Sequence, residues 1–521
     1  MRGNFIALCR IDKYLSWIIF GIILKLLFGV YLHYNVFLFD NGREPSNYFF
    51  LISGDHYEFF NPTNNLVEKG SYSLFEGSGP YAGRLPGYIF PYILFRILFT
   101  EKISLLLLGL FQIFSSAVTA YLLARLAGES ANNNIRFFLF VFLVSLFLPY
   151  FWQWDFYYHP ASLSVMLYVL LLYIIKKKFI PDGRYAYVLF AGFCMAWIFF
   201  LRPFLGIYFI SVLILIVIVS LVKKAKMKNI AFRIFLFLLP LVIIESAWAV
   251  RNYFAFKQFI PLQTSLVPFA QSGSDYSYGS TSKYSVTVIR KLVSAWGGDC
   301  AWYFQGSEMG WFFENDKIKS NKFEFKNYVF CNGFTKDSIS LLKENLQLSF
   351  NNNFSRERKD SLEEAIISRS ERFRRTYISE NKIHYYFFSP LLRIKNFLIK
   401  NVTQDWRAPL FGKPPLLYMA LKIASLFLYY FFLISGLLVI ITLPWLWKIY
   451  SAFEWMIIAN ILLLVGTFGF LIDLSHYHYF ATGYIGLFVL TANNIQRFRR
   501  RIQQLPQHSF LQRIFGEAHF L

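Results

Sequence analysis

Charged side chains are scarce in this chain, and acidic ones scarcest. Only 16% of its 521 residues are charged, against about 25% in soluble proteins, and 30 acids stand against 52 bases. With 56% of residues hydrophobic, an ordinary soluble globule is excluded, because that many apolar side chains have to face lipid. Cysteine is rarer still: four residues rule out a disulfide-dense scaffold or a zinc-cluster framework. Cys9 is expected in the cytoplasm and Cys194 in the membrane, while Cys300 and Cys331 share one long loop, either bridged or as two thiols. The chain also lacks a Walker A loop, a Rossmann glycine pattern, a GxSxG elbow and an HExxH helix. Those absences argue against a nucleotide-driven pump and a soluble-type hydrolase. No internal repeat recurs at a fixed period.

What is present is a series of long apolar runs. A helix needs about 20 predominantly apolar residues to cross a bilayer, and by that measure spans fall near 15–35, 103–124, 136–152, 160–175, 185–201, 204–222, 232–250, 416–443, 454–473 and 478–494. The first follows a basic flank of Arg2, Arg10 and Lys13, as in a signal peptide. No small-residue cleavage site follows it, so it reads as an uncleaved helix. The fold class expected is therefore an all-α polytopic membrane protein of about ten transmembrane helices.

Lysine and arginine orient those spans, because short cytoplasmic loops are enriched in both. Arg125 and Arg136, Lys176 to Lys178 with Arg184, the run Lys223 to Arg233, Lys448, and Arg497 to Arg501 all come out on one side with the N-terminus. Both termini are then cytoplasmic. The same clustering accounts for part of the formal charge of +22 without a nucleic-acid partner. Residues 86–99 are apolar but too short to cross, and Pro91 and Arg96 interrupt them. They read as a juxtamembrane or re-entrant helix belonging to the first outer loop, 36–102.

Four parts follow: a transmembrane module over 1–265, a large extracytoplasmic loop over 266–415, the last helices over 416–495, and a basic tail over 496–521. Within the large loop, Ser361 and Glu364 form a capping-box pattern ahead of Ile366, Phe373 and Tyr377, predicting an amphipathic helix over 361–379. Residues 389–403 mix Leu391, Leu392, Ile394, Phe397 and Leu398 with Arg393, Lys395 and Lys400, the pattern of a helix lying on a membrane surface.

Residues able to carry chemistry collect on the outer side. Asp55 stands near the exit of the first helix, ahead of a short helix predicted over 62–69 with Asn61 as its cap and Gly70 as its stop. A carboxylate there can act as a general base toward an acceptor hydroxyl, or simply cap a helix. Arg84, before the Leu85-Pro86-Gly87 turn, suits a phosphate because a guanidinium stays charged and binds oxygens bidentately; snorkelling to headgroups is the alternative. Arg202 and Arg251 close two further helices at the same level. The loop at 153–159 adds Asp155 as a second candidate acid, and His56, Tyr57, Tyr81, His159 and His478 are candidates to line the site. Asp55, His56, Asp155 and His159 are the residues that could hold a divalent metal, although their spacing is not of zinc type. Hydrogen bonding to loop backbone is the other use for them.

The succession Gly54-Asp55-His56-Tyr57, Lys69-Gly70-Ser71-Tyr72-Ser73 and Gly83-Arg84-Leu85-Pro86-Gly87-Tyr88 resembles the GT-C superfamily of integral-membrane glycosyltransferases. The group it is most similar to comprises the bacterial relatives of protein O-mannosyltransferases and the lipid A aminoarabinose transferase. Leu201-Arg202-Pro203, Ala247 to Tyr253 and Phe259-Ile260-Pro261-Leu262 are similar to further segments of that group. The resemblance implies a sugar donor on polyprenyl phosphate, entering sideways from the outer leaflet, and a glycan, lipid or protein acceptor. It also implies Asp55 as the base of an inverting transfer, with Arg84 and Arg251 neutralising the leaving phosphate. His56 stands where many members carry an acid, and His478-Tyr479 where many carry Arg-Tyr. The large loop, which matches no named segment, is where the acceptor is expected to be chosen.

Two other classes remain to be weighed. A transporter or flippase of lipid-linked glycans predicts repeat symmetry and charged or broken helices near the midplane; Lys25 and Glu245 are the charged residues there, and no repeat accompanies them. An oligosaccharide ligase or polymerase shares the donor and the outer loops but centres on arginine and histidine.

Overall fold

The structure is a computed structural model, and it describes residues 16–31, 50, 56–76, 79–128, 135–148, 154–262, 280–300, 307–313, 324–349, 354–399, 416–442, 450–472 and 477–504. These residues are helical, with no β-strand among them beyond two isolated bridges. In chain order the helices are α1 (Ser16–Tyr31), α2 (His56–Lys69), α3 (Ile89–Leu98), α4 (Glu101–Gly128), α5 (Ile135–Leu146), α6 (Ala161–Ile174), α7 (Tyr185–Leu201), α8 (Tyr208–Val222) and α9 (Met227–Phe256). The large loop contributes α10 (Ser280–Ala295), α11 (Glu308–Phe313), α12 (Lys336–Ser349), α13 (Arg356–Glu380) and α14 (Ser389–Ile399), and the chain closes with α15 (Leu416–Ile441), α16 (Ala452–Gly466) and α17 (Ala481–Gln504).

Among the described residues, five helical segments are long and apolar enough to cross a membrane: Glu101–Ala127, Pro203–Val222, Met227–Phe256, Met419–Ile441 and Ala452–Leu471. Each expected span overlaps a helix, but α1, α5, α6 and α7 are shorter. The outward side chains have the composition lipid requires. Val242, Ile243 and Phe254 on α9 and Ile423, Phe427 and Ile434 on α15 are all exposed and apolar.

Small residues and buried polar pairs hold the helices together, as expected where apolar side chains gain little by leaving lipid for protein. A Cβ at Gly192 would overlap the Phe237 carbonyl, so α7 and α9 touch backbone to backbone there. Tyr208 Oη lies 2.9 Å from Thr482 Oγ1, joining α8 to α17. Asn460 of α16 accepts from Ser211 of α8, and its Nδ2 donates to Tyr168 of α6 at 3.2 Å.

The large loop has a core of its own, built from α10 to α13 around Trp296, Leu342, Phe373 and Tyr377. Phe334 stacks on Phe373 with centroids 4.4 Å apart. α14 fastens this domain to the bundle: Ser389 Oγ donates to the Ala295 carbonyl at 2.6 Å, Phe397 stacks on Phe468, and Tyr429 Oη donates to the Leu398 carbonyl. Cys300 and Cys331 are free thiols. Burial pushes the Cys331 thiol up to about 11, helped by Glu380, so it is protonated at neutral pH.

Two local expectations are corrected. The first-loop helix starts at His56 rather than at Pro62, which lies inside it. Burial of Phe59 and Phe60 against Tyr88 and Tyr92 offsets the hydrogen bond that Pro62 cannot donate. Its end is as expected: Gly70 adopts φ +71°, and the amides of Gly70 and Ser71 reach back to Leu66 and Asn65. Helix α13 is capped not by Ser361 but by Ser355, whose side chain accepts from the Arg358 amide, leaving Ser361 a turn and a half inside.

Candidate functional site

Asp55 lies outside the described residues, as does the stretch 51–54; it immediately precedes α2. His56 and Tyr57 open α2, and His478 lies in the short helix Tyr477–Phe480 ahead of α17, their side chains being outside the description. The remaining candidates can be placed by their contacts.

Arg84 sits on the turn that leads into α3. Its Nε donates to Glu58 Oε2 at 2.6 Å, and its guanidinium lies 5.3 Å from the Phe59 ring. Both residues of this pair keep about a quarter of their side-chain surface in contact with the outside, so the pair is reachable. The turn itself is pinned to α7: a Cβ at Gly87 would overlap the Phe200 carbonyl carbon, and Trp197 Nε1 donates to the Gly87 carbonyl at 2.9 Å.

Arg251, near the C-terminal end of α9, reaches into the first loop. Nη1 donates to the Tyr81 carbonyl at 2.8 Å and to Asn252 Oδ1 at 2.7 Å, and Nη2 approaches the Tyr72 carbonyl at 3.4 Å. Tyr72, Trp248 and Phe256 surround the guanidinium with aromatic faces. Burial raises the Tyr72 phenol well above its ordinary range, so Tyr72 stays neutral and serves as a face rather than a counter-ion. Tyr81 is itself buried, packing under Gly83. The geometry makes Arg251 a clamp that ties the rim of the first loop to α9.

Asp155 and His159 belong to a second, deeper cluster. Asp155 forms an ion pair with Lys25 of α1 and accepts from Ser162 at 2.9 Å, with both charged side chains essentially inaccessible. Gln112 of α4 organises the surrounding loop, its Nε2 donating to the carbonyls of Trp154 and Tyr157 while its Oε1 accepts from Tyr88 Oη. His159 stacks on Trp154 at 4.2 Å, and its ring nitrogens lie 2.9 and 3.2 Å from Arg202 Nη2. Arg202 also lies over the Tyr479 ring. A cation bound between Asp155 and His159 would face both Lys25 and Arg202. Among the described residues no three His, Cys, Asp or Glu side chains gather in a metal-binding group; Asp55 and His56 fall outside that statement.

Sequence reasoning did not assign Glu58 to Arg84, Gln112 to the loop carbonyls, or Lys25 to Asp155. Only the last carried a signal, since a lysine within an apolar helix demands a counter-charge.

No family model, curated protein or solved structure matches the chain.

Proposed function

We propose that the protein is a membrane glycosyltransferase that moves a sugar from a polyprenyl-phosphate donor to a glycan, lipid or protein acceptor at the outer face of a bacterial inner membrane. The reading takes ten crossings with both termini in the cytoplasm. Asp55 is the base that takes the acceptor proton, and the transfer inverts the anomeric centre. Arg84 meets the phosphate. Arg251 and Arg202 hold the surfaces on which that happens: Arg251 through the carbonyls of Tyr72 and Tyr81, Arg202 through His159. Asp155 acts as the counter-ion of Lys25 rather than as a second base, because its carboxylate has no surface from which to reach an acceptor.

The observation that carries this reading is the position of Arg84. An accessible guanidinium sits on a turn fixed to α7, in the same loop as Asp55 and five residues ahead of a short apolar helix. That arrangement suits a lipid-borne phosphate approaching along α3. Lys25, one of the two charges that spoke for a transporter beside Glu245, is spent on Asp155. A second reading, an oligosaccharide ligase or polymerase, is favoured by the Arg202 and His159 contact.

Transfer from radiolabelled polyprenyl-phosphate sugars by the purified chain separates these readings. Glycosyl transfer with Asp55 as base predicts loss of roughly a hundredfold or more in Asp55→Asn, and a large fall in Arg84→Ala. Undiminished transfer in both variants overturns the assignment, and loss confined to His159→Ala selects the ligase reading.

A further inference from the structure

The end of the bundle opposite Arg202 carries a site of a different kind. α6 starts at Ala161 beside the Asp155 and His159 cluster and runs about 20 Å to Ile174; α17 starts beside Tyr479 and runs the same way. Just past the end of α6, where α17 passes the start of α16, lies a cavity of about 220 Å³. It has more than ten times the roughly 10–15 Å³ that a single water needs.

Its walls are charged and polar. The N-terminus of α16 opens onto it from the Ser451 cap, a capping box in which Ser451 accepts from the Glu454 amide, and the dipole of a helix start favours an anion. Glu454 is already engaged: its Oε2 accepts from the Ser451 amide and pairs with Arg497, and its Oε1 accepts from Asn493. Arg497 therefore cancels the only acid among the described residues of the wall. Lys176, from the π-helical turn after α6, brings a second cation, with Nζ 2.9 Å from the Leu126 carbonyl and 5.3 Å from the Phe453 ring. The lining is left with a net positive charge.

Two side chains of that wall are incompletely bonded. Asn493 and Gln496 are 7% and 3% exposed, and each uses its amide nitrogen, toward Glu454 and the Ala127 carbonyl. Asn493 Oδ1 and Gln496 Oε1 are buried with no donor among the described residues. A buried acceptor left this way is costly, so an occupant that fits must donate hydrogen bonds as well as carry negative charge.

We propose that this cavity binds a hydroxyl-bearing phosphate ester. Its phosphate lies against Lys176 and the start of α16, and its hydroxyls donate to Asn493 and Gln496. Two sources share that chemistry: the headgroup of an anionic phospholipid in the adjacent leaflet, and a small soluble phosphate ester. The site is independent of the transfer chemistry proposed for the other end.

Two probes distinguish the sources. Native mass spectrometry of the full chain released from nanodiscs compares retention of phosphatidylglycerol with phosphatidylcholine, and microscale thermophoresis measures sn-glycerol 1-phosphate. Preferential retention of phosphatidylglycerol, about fivefold or more, identifies a lipid headgroup; saturable binding of glycerol phosphate identifies a soluble ester. Lys176→Gln keeps a donor for the Leu126 carbonyl, and Gln496→Met keeps the side-chain length. Each is expected to weaken whichever probe binds by roughly tenfold, while Lys228→Gln, on an exposed stretch of the same end, leaves it unchanged. Equal retention of the two lipids together with no glycerol phosphate binding overturns the proposal, and so does an equal loss in Lys228→Gln. The wild-type comparison decides even if a variant fails to fold.

Discussion

In the bundle, Lys25 and Asp155 are buried together from positions 130 residues apart, and Glu454 meets Arg497 across two helices. In the domain formed by the large loop, Arg375 and Glu371 lie in solvent one turn apart on α13, and Glu363, one of its buried acids, is hydrogen-bonded by Ser285. Burial pushes the Glu363 carboxyl up to about 7, with Asp360 adding to the shift. The contrast follows from the surrounding medium. A helix in lipid has no water to solvate a charge, so a buried ion must bring its partner from another helix. An acid in the large-loop domain can instead neutralise itself by keeping a proton.

The contrast breaks if the bundle tolerates an unpaired charge. Asp155→Ala leaves Lys25 uncompensated and is expected to cost about 3–5 kcal/mol, read as a large fall in the denaturant midpoint of the purified protein. The double variant Lys25→Met with Asp155→Leu should recover most of that loss, because apolar replacement of both partners removes the desolvation cost as well. A smaller effect sharpens the other side. The folded large-loop domain holds a proton on Glu363 that the unfolded chain releases near pH 4.5, so the stabilisation from this group is complete below that value and is lost as pH rises through about 7. Hydrogen exchange of α13 between pH 5 and 8, corrected for intrinsic rates, should show falling protection, and Glu363→Gln should flatten the slope. The smallest change expected is for Glu371→Ala, about 0.2–0.5 kcal/mol, since Arg375 is 81% exposed. A loss above 1 kcal/mol in the same exchange experiment would place that pair among the buried ones.

Apolar run length made the helices legible in the sequence, including the short α3, whose Pro91 and Arg96 marked it as something other than a crossing. Helix starts were harder to read. Ser361 and Glu364 satisfy a capping pattern in sequence, yet Ser355 is the cap, because α13 gains another turn and a half by starting earlier. Pro62 looked like a first helical residue, but the aromatic contacts of Phe59 and Phe60 carry α2 back to His56. In the candidate site, the sequence marked Arg202 and Arg251 as helix-end residues, and both lie at or near the ends of their helices. It did not mark the partners of the arginines: Glu58, Tyr81 and His159 lie 26, 170 and 43 residues away from Arg84, Arg251 and Arg202, and no local periodicity encodes such distances.

Gly87 has a consequence for how the protein can change over time. Where it meets Phe200, main chain rests on main chain, with no side chain between them to be exchanged for a larger or smaller one. Substitutions elsewhere in α3 or α7 can therefore alter shape and polarity around Arg84 without altering its height above the bundle. The depth at which the guanidinium waits is set by peptide geometry, the part of the molecule that mutation cannot adjust in small steps.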